Sequence, residues 1–570
     1  MLCIQGEGGA LTNFDSHKQL NPAEFQKGLP ADTLILREGP QSDDTPLDVV
    51  FVGAGPAGLA GAIELARLIK QDDMEGDGVG PIEIGVLEKA GELGGHSLSG
   101  AVINPKCFFD LFPDLELGDM PFRAPVTGES FHFLTENRSV RIPLPPTMDN
   151  RGNYVASICE VVRWMGEKAE QLGISIFPGF PADGLLVQDQ KVVGVRTTPS
   201  GLGSDGIPLE GSHVPPMDIT AKVTVLAEGT RGPLTQAFLD WQNITSPNPQ
   251  IYALGVKELW EVKAPIKRVI HTMGWPLPRD AFGGSFIYPM DDNIIALGLV
   301  VGLDYKSATF DVHEALQRMK MHPIIEPHLR KGELLEWGAK TIPEGGYYSI
   351  PDRLHGEGVC LVGDAVGFVD VPSLKGIHYA MHSGVLAARS IFQGLKAGDV
   401  VSREGLASYT KAIQSSFIMK DLKETRNVRL AFKDGFWSGG LKAGVMSLTK
   451  GRLLGEKISV VEDAAEQKWL ADDEAVEKDL SGPKVTKVDA VYRSGNQTRD
   501  DIPSHLLLGD DINAGVSRFY EAMCPAGVYE WDGQGLRVNA PNCVDCKATD
   551  ILGPRWQVRE GGSGPSYRRM

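Results

Sequence analysis

Hydrophobic positions form their most regular pattern over residues 47–68. The β-branched and aromatic run 49–52 predicts a buried strand, and an Ala- and Leu-rich run after Gly58 predicts a helix. Between them, Gly53, Gly55 and Gly58 have the spacing Gly-x-Gly-x-x-Gly. A strand, this turn and a helix are typical of a unit that holds dinucleotide phosphates at a helix N-terminus. The segment therefore predicts a dinucleotide site in preference to an ordinary glycine-rich loop.

A second strand is predicted over 82–88, and it ends at Glu88. A carboxylate at this place accepts hydrogen bonds from ribose hydroxyls; the alternative is a solvated glutamate. Glu88 lies further from the glycine turn than the usual spacing of about twenty residues, because the acidic insertion 71–81 intervenes. In the small-residue loop 91–103, His96 either contacts a flat ring system or is an incidental turn residue.

The pattern further along predicts that a second domain interrupts the first. Strands at 191–197 and 223–226 return to the dinucleotide unit, and alternating stretches over 251–303 predict an antiparallel sheet. A later strand ends at Gly363 and Asp364 and precedes a helical pattern, which again places polar groups beside a nucleotide. No second strand-linked Gly-x-Gly-x-x-Gly occurs in the sequence, so a separate nicotinamide dinucleotide domain is not expected.

The region 432–454 combines apolar residues with basic ones and has no acidic residue between 435 and 455. A short helix with an apolar face and basic flanks suits the interfacial plane of a membrane. The alternative is an amphipathic helix packed on the protein's own core. No apolar run in the sequence reaches the roughly 18 residues that a spanning helix needs.

Three of the seven cysteines, Cys524, Cys543 and Cys546, lie close together near the C-terminus. A Cys-x-x-Cys pair with a remote Cys-Pro is typical of iron–sulfur ligands, which usually number four thiolates. A zinc site also requires four ligands, and no histidine follows Cys524. A redox dithiol or an ordinary pair of loop cysteines would have the same short spacing. The three positions together favour a cluster.

Composition narrows the class of protein. At 570 residues the chain has room for two to four domains, and its formal net charge of −18 argues against nucleic-acid binding. The N-terminal stretch 1–46 has no pattern of a signal or transit peptide and is rich in proline. It predicts an extended arm on an uncleaved cytoplasmic protein.

Several stretches spread over 47–570 carry a resemblance to a known family. They are His96-Ser-Leu-Ser, Gly255-Val-Lys-Glu-Leu-Trp260, His271-Thr-Met-Gly-Trp, Gly283-Gly-Ser-Phe, Lys375-Gly-Ile-His378 and Glu560-Gly-Gly-Ser-Gly-Pro-Ser-Tyr567. On these residues the chain resembles the electron transfer flavoprotein–ubiquinone oxidoreductase family.

The resemblance implies an α/β plus α+β fold with three parts. They are a glutathione-reductase-like FAD domain, an inserted antiparallel-sheet quinone domain and a C-terminal ferredoxin-like iron–sulfur domain. The expected limits are an N-terminal arm (1–46), the FAD domain (47–250 and 346–431), the quinone domain (251–345), a membrane-surface helix region (432–455) and a linker with the cluster domain (456–570).

The resemblance also implies an electron-transferring-flavoprotein dehydrogenase. Electrons would pass from reduced electron transfer flavoprotein through FAD and the cluster to ubiquinone, with the protein orienting and tuning its cofactors. The residues expected to hold FAD are Gly53, Gly55, Gly58, Glu88, His96, Gly363 and Asp364. Gly283 and Gly284 match quinone contacts of the family, where missing side chains admit a ring and its tail. No catalytic acid or base is expected.

Attachment to one membrane leaflet is a further implication. It agrees with the interpretation of 432–454 and adds a second apolar stretch near 102–122, with Phe108, Phe109, Leu111 and Phe112. We expect a monotopic protein on the inner membrane of a bacterium, facing the cytoplasm.

The sequence departs from the family pattern at one ligand. The family's tail has Cys-x-x-Cys-x-x-Cys, so a cysteine is expected where this chain has Thr549. Three outcomes are open: a 3Fe-4S cluster on Cys524, Cys543 and Cys546, a 4Fe-4S cluster with an oxygen ligand, or no cluster. Oxygen is a weaker ligand than thiolate for such iron.

Two other functions compete with electron transfer to quinone. One is a flavin-dependent reductase of the geranylgeranyl reductase type, against which the cysteine-containing tail argues. The other is an inactive flavin-bound membrane adaptor, which the absence of a cysteine at Thr549 suggests.

Overall fold

The structure, a computed structural model, describes residues 19–41, 45–76, 78–100, 102–264, 266–291, 293–470 and 482–570. Residues 1–18 and 42–44 of the predicted N-terminal arm lie outside this part. The described remainder of the arm is folded rather than only extended. Strand Ile35–Leu36 joins a large sheet, and the Gln26 side chain donates hydrogen bonds to the carbonyls of Asp550 and Gly553 near the C-terminus.

The first sheet contains the predicted dinucleotide unit and has nine strands in the described residues. In spatial order, seven of its strands are Ser175–Pro178, Ile84–Glu88, Thr45–Val52, Asp218–Leu226, Lys191–Thr197, Ala182–Gln188 and Ile35–Leu36. Val359–Leu361 pairs in parallel with Asp218–Leu226, and His355–Gly356 pairs with Val359–Leu361. The strands that end at Val52, Glu88 and Leu226 are mutually parallel, so their carboxyl ends meet at one edge.

Two long helices cover this sheet, and glycines allow their close approach. Helix Pro56–Glu75 begins directly after the glycine turn, and helix Ile377–Ala397 packs across it. A Cβ at Gly384 would lie 2.1 Å from the carbonyl oxygen of Ala57. The glycine at this crossing therefore sets how closely the backbones pack.

The second sheet contains the predicted antiparallel strands and extends beyond them. Its seven strands, in spatial order, are Glu333–Pro343, Tyr252–Glu261, Ile294–Gly302, Gly283–Pro289, Val269–Gly274, Glu129–Leu134 and Ser139–Ile142. Val269–Gly274 pairs in parallel with Glu129–Leu134, whereas the other pairs are antiparallel. Strands from 129–142, which precede the expected stretch 251–345, thus complete this sheet.

The remaining strands form small sheets. They are Gln19–Leu20 with Lys468–Trp469, Leu506–Leu507 with Arg555–Trp556, Tyr529–Trp531 with Leu536–Val538, and Val102–Ile103 and Ala124–Pro125 on either side of Tyr154–Val155.

The α-helices of the described residues are Ala31–Leu34, Pro56–Glu75, Lys106–Leu111, Ile158–Gln171, Pro233–Trp241, Val312–Lys320, Glu326–Leu329, Ile377–Ala397, Arg403–Ser415, Phe417–Thr425, Phe436–Thr449, Lys487–Arg493, Ala514–Met523 and Ala548–Leu552. The 3-10 helices are Pro22–Phe25, Leu117–Asp119, Pro146–Met148, Gly346–Ser349, Gly363–Val366, Val371–Ser373, Leu430–Asp434, Asp463–Ala465 and Ala540–Asn542.

The C-terminal segment shares its hydrophobic core with the second sheet. Cys524, Cys543 and Cys546 are buried in the same cluster of apolar side chains as Leu254 and Trp337 of that sheet. The cysteine-bearing loops are therefore fixed against the sheet and do not form a separately packed tail.

Candidate functional site

One cavity of about 380 Å³ lies where the two sheets and the C-terminal segment meet. The glycine turn contributes Gly53 and Gly55 to its wall, the second sheet contributes Lys257 among others, and the C-terminal segment contributes Lys547 and Trp556. Apolar surface makes up most of this wall, as is usual for a cofactor or substrate site.

The glycine turn forms the nucleotide end of the cavity. Gly53 has φ +113°, and a Cβ there would lie 2.4 Å from the carbonyl oxygen of Ala227. A Cβ at Gly58 would lie 2.0 Å from the carbonyl oxygen of Gly53. Gly58 does not line the cavity, whereas Gly55 does and precedes the first helical residue, so free N–H groups of the helix face an incoming phosphate.

Glu88 lies at the end of its strand on the same wall. Its carboxylate accepts hydrogen bonds from the N–H groups of Ala54, at 3.2 Å, and Ala90, at 2.8 Å. These bonds hold the carboxylate beside the turn. A backbone cradle without side chains and a strand-end carboxylate fit the phosphates and ribose of a dinucleotide.

The strand that returns to the first sheet supplies Asp364. It lies in the 3-10 helix Gly363–Val366 and lines the cavity, and burial raises the pKa of its carboxyl to about 6. Gly363, with φ +68°, does not line the cavity and donates its N–H to the Ser383 hydroxyl at 2.9 Å. Gly363 thus shapes the turn that presents Asp364.

His96 also lines the cavity, and its side chain is 7% exposed. Within the described residues neither ring nitrogen has a hydrogen-bond partner. Burial, reinforced by Lys89, holds the pKa of His96 well below its usual range, so the ring is neutral. Orphaned buried ring nitrogens at a cavity wall fit a bound cofactor.

Lys257 is a residue of the wall that sequence reasoning missed. It lies in strand Tyr252–Glu261 with 1% exposure, and its ammonium has no hydrogen-bond partner in the part of the chain that the structure describes. Burial lowers its pKa to about 8, and burial lowers the pKa of Lys340, also on the wall, to about 8. The available signal was a lysine within an apolar strand pattern.

Gly283 and Gly284, predicted at the quinone, lie at the start of strand Gly283–Pro289 and not on the cavity wall. A Cβ on Gly283 would lie 2.1 Å from the carbonyl oxygen of Val300, and a Cβ on Gly284 would lie 2.3 Å from that of Thr272. Close strand pairing therefore accounts for both glycines, and their contact with quinone stays a prediction.

The three clustered cysteines are buried in one apolar core, and their role as ligands of one cluster stays a prediction. Cys524 follows helix Ala514–Met523, and Cys543 and Cys546 stand on one loop before helix Ala548–Leu552. Burial raises the pKa of all three thiols, and Cys524 and Cys543 raise that of Cys546 further. In such an apolar core the sulfurs stay protonated unless a metal takes the charge of the thiolates, so three buried cysteines fit an iron–sulfur cluster.

Thr549 lies in helix Ala548–Leu552 and is buried. Its hydroxyl donates to the carbonyl oxygen of Pro554 at 3.1 Å and pairs with the Tyr529 hydroxyl at 2.6 Å. The position expected to supply the fourth thiolate therefore supplies a hydrogen-bonded hydroxyl.

Asp545 lies on the loop 543–546, which we call the cysteine loop, and its partner Lys89 lines the cavity. Its carboxylate, 1% exposed, pairs with Lys89 at 2.7 Å and Arg559 at 2.9 Å. His505, from outside the tail segment that sequence reasoning considered, has a ring nitrogen within 4.8 Å of the Cys543 sulfur and the Asp545 carboxylate.

The cysteine loop is also hydrogen-bonded to the second sheet. The N–H of Thr341 donates to the carbonyl of Cys546 at 2.9 Å, and the Lys340 ammonium donates to that of Asp545 at 3.3 Å. Thr341 and Lys340 also line the cavity. The strand that carries Lys340 and Thr341 therefore contacts both the cysteine loop and the cofactor cavity.

The fold and these two sites define an oxidoreductase that uses FAD and an iron–sulfur cluster. Sequence models described as "ETF-QO, ubiquinone-binding" and "Electron transfer flavoprotein-ubiquinone oxidoreductase, 4Fe-4S" match residues 252–342 and 484–568. The mitochondrial electron transfer flavoprotein-ubiquinone oxidoreductase of Dictyostelium discoideum is 37% identical over 94% of this chain and 92% of its own length. The human mitochondrial protein is 37% identical over 92% and 89%. The chain belongs to the electron transfer flavoprotein–ubiquinone oxidoreductase family.

A solved structure agrees with this fold. A geranylgeranyl bacteriochlorophyll reductase-like protein from Thermoplasma acidophilum covers 72% of this chain and 92% of its own at a TM-score of 0.54. At 18% identity this likeness concerns the fold alone. The predicted fold class and the predicted cofactors, FAD and an iron–sulfur cluster, are confirmed.

Proposed function

We propose that this protein oxidises reduced electron transfer flavoprotein and reduces ubiquinone to ubiquinol. The observation that carries the proposal is the shared cavity, whose wall combines the dinucleotide turn, the second sheet and the cysteine-bearing segment. When bound, FAD and the cluster supply the electron transfer. Reduction of one quinone consumes two electrons and two protons.

The protein's own residues bind and orient FAD. Helix N–H groups after Gly55 hold the phosphates, Glu88 accepts from ribose, and Asp364 and His96 contact the remainder of FAD. Lys257 places a buried ammonium on the wall of the second sheet, where it favours the reduced, more negative state of a bound redox group. The domain limits 47–250, 251–345, 346–431 and 456–570 remain part of this proposal, except that strands Glu129–Leu134 and Ser139–Ile142 belong to the second sheet.

Stopped-flow mixing tests the function directly. The holoprotein, with FAD and iron quantified, is mixed with chemically reduced electron transfer flavoprotein and a short-chain ubiquinone. We expect oxidation of the partner's flavin and stoichiometric ubiquinol. No ubiquinol from protein that contains both cofactors would overturn the proposal, and would favour the adaptor hypothesis.

The proposal includes attachment to a membrane surface. Helix Phe436–Thr449 exposes Leu441 (73%) and Leu448 (78%), whereas Met446 (2%) packs on the protein. Leu453 and Leu454 continue the exposed apolar surface, which suits an interfacial position. In the described residues no helix combines the length and apolarity needed to cross a bilayer.

The second expected stretch, 102–122, supports attachment less strongly. Phe108 and Leu111 are buried in the core, and Phe109 is 39% exposed. Helix Phe436–Thr449 is therefore the main contact that we propose. The membrane would be the inner membrane of a bacterium, with the protein on its cytoplasmic face.

Vesicle flotation tests this contact. In Leu441→Glu/Leu448→Glu we expect at least tenfold weaker binding to vesicles of mixed anionic and zwitterionic lipid, with unchanged quinone reduction in detergent. Ile207→Glu, at a position 62% exposed, is the matched control and should bind as the wild type does. Equal binding by all three proteins would contradict the proposed contact.

A further inference from the structure

Cys543 and Cys546 on the cysteine loop, together with Cys524, offer three sulfur ligands, and among the described residues no fourth cysteine accompanies them. A 4Fe-4S cluster ordinarily takes four cysteines. We propose that this chain instead assembles a 3Fe-4S cluster on Cys524, Cys543 and Cys546. The inference deepens the proposed function, because it specifies the relay on which that function relies, but it can be tested without turnover.

The hydroxyl of Thr549 is already engaged in hydrogen bonds within the protein. A neutral hydroxyl has one proton to donate and two lone pairs. The proton goes to the Pro554 carbonyl at 3.1 Å, and one lone pair faces the Tyr529 hydroxyl at 2.6 Å. Burial raises the pKa of Tyr529 well above its usual range, so Tyr529 keeps its proton. A hydroxyl held in this way is a poor ligand for iron in a sulfide and thiolate environment.

The two carboxylates nearest to Thr549 in sequence are also engaged, in ion pairs. Asp550 accepts from Arg231 at 2.7 Å, from Arg555 at 3.0 Å and from the N–H of Trp556 at 3.0 Å. Asp545 is held by Lys89 and Arg559. Moving either carboxylate to iron would leave a buried guanidinium without its partner, which is strongly unfavourable. Neither aspartate is therefore free to replace the missing cysteine.

His505 is the buried nitrogen donor that remains nearby, because both its ring nitrogens lack a partner in the described part of the chain. Its ring lies beside Cys543 and Asp545 and makes an edge contact with Trp556. The Thr549 hydroxyl has other neighbours, Tyr529 and Pro554. His505 therefore lies beside the Cys543 ligand, as outer-shell groups of metal sites do, and not at position 549.

The other described cysteines have their own environments. Cys107 donates to the carbonyl of His378, Cys159 donates to the carbonyls of Ser97 and Met570, and Cys360 is buried in strand Val359–Leu361 of the first sheet. Cys3 lies outside the described residues, and the experiment below includes it.

The test is metal content and spectroscopy of anaerobically purified holoprotein. We expect about three irons and four sulfides per FAD, and an electron paramagnetic resonance signal in the oxidised state, which a 3Fe-4S cluster gives and an oxidised 4Fe-4S cluster does not. Incubation with ferrous iron and dithiothreitol, then desalting, should leave both unchanged. Four retained irons with a silent oxidised state, or no iron, would overturn the proposal.

A matched pair of variants adds a second arm. Thr549→Cys and Thr549→Ser both remove the methyl group and differ only in sulfur for oxygen. We expect the Cys variant to gain a fourth iron and lose the oxidised-state signal, and the Ser variant to remain like the wild type. Cys3→Ser and His505→Ala should retain three irons. An iron lost in either of these two variants would overturn the proposed ligand set.

The outcome is independent of the proposed function. Three irons without quinone reduction would leave the cluster assignment intact and reject the function. Quinone reduction by a protein with four irons would do the reverse.

Discussion

The glycine turn lines the cavity directly, whereas the cysteine loop reaches the cavity wall through the adjoining Lys547, and the two are held in place by different forces. At the turn, the constraint is backbone against backbone: a Cβ at Gly58 would lie 2.0 Å from a carbonyl oxygen five residues earlier. At the loop, the constraint is charge. Asp545 and Asp550 are held by Lys89, Arg231, Arg555 and Arg559, three of which are under 20% exposed.

This difference determines which of the two sites tolerates substitution of its neighbouring residues. A turn set by backbone sterics keeps its shape as long as the glycines are present, whatever the surrounding charges. A loop held by buried ion pairs depends on several distant segments at once, and loss of one partner leaves another charge buried. The cysteine loop should therefore be the more easily destabilised end.

The largest expected effect is at Asp545. Asp545→Asn removes the anion between Lys89 and Arg559, and Arg559 is only 4% exposed. We expect a loss of about 3–5 kcal/mol in the free energy of unfolding, with loss of iron, measured by urea denaturation and metal analysis.

The matched control is Asp510, whose pair with Lys27 at 2.8 Å is largely exposed. Asp510→Asn should change the free energy of unfolding by less than about 1 kcal/mol. Similar losses in the two variants would show that burial of the ion pairs does not distinguish the loop.

This contrast also explains what the sequence could predict. The strand, the glycine turn, the helix after it and Glu88 are local in sequence, and the structure forms them where the pattern indicated. The three cysteines are buried in one core, and their role as ligands stays a prediction. The partners of Asp545 come from residues 89 and 559, which no local pattern relates.

The second sheet likewise combines locally predictable strands with long-range pairing that no local pattern indicates. Its apolar alternation predicted strands within 251–303, but the parallel partner Glu129–Leu134 comes from over a hundred residues earlier. The buried Lys257 is followed by Glu258 in its strand, and this local pattern does not reveal that the lysine is buried. What remained unpredicted is what long-range packing decides.

The second-largest effect on the free energy of unfolding is expected at Lys257, where substitution should stabilise the protein. Burial lowers its pKa from 10.5 to about 8, a shift that corresponds to a cost of about 3 kcal/mol. Lys257→Met should therefore stabilise the flavin-free protein at pH 7, as measured by urea denaturation. In the holoprotein it should lower the reduction potential of the flavin, because a positive charge on the cavity wall is lost.

The pH dependence of the free energy of unfolding tests the sign of this prediction. The unfolded chain keeps the Lys257 proton up to about pH 10.5, whereas the folded chain releases it near pH 8. The stability of the wild type therefore rises with pH between these values. The advantage of Lys257→Met is complete below pH 8 and fades toward pH 10.5. Lys263→Met, at an exposed position, should show neither effect; an advantage that is flat with pH would contradict the burial cost.

The smallest effect concerns the turn itself and separates two roles of its glycines. Gly58→Ala places a methyl against the Gly53 carbonyl, so we expect a loss of about 2 kcal/mol in the free energy of unfolding. Gly55 has extended backbone, φ −77°, and open space where a methyl group would lie, yet it lines the cavity. Gly55→Ala should therefore fold normally and bind FAD at least tenfold more weakly, measured by flavin retention on dialysis. If Gly55→Ala destabilises the flavin-free protein as much as Gly58→Ala does, backbone packing is not what distinguishes the two glycines, and the contrast with the charge-held cysteine loop fails at the turn.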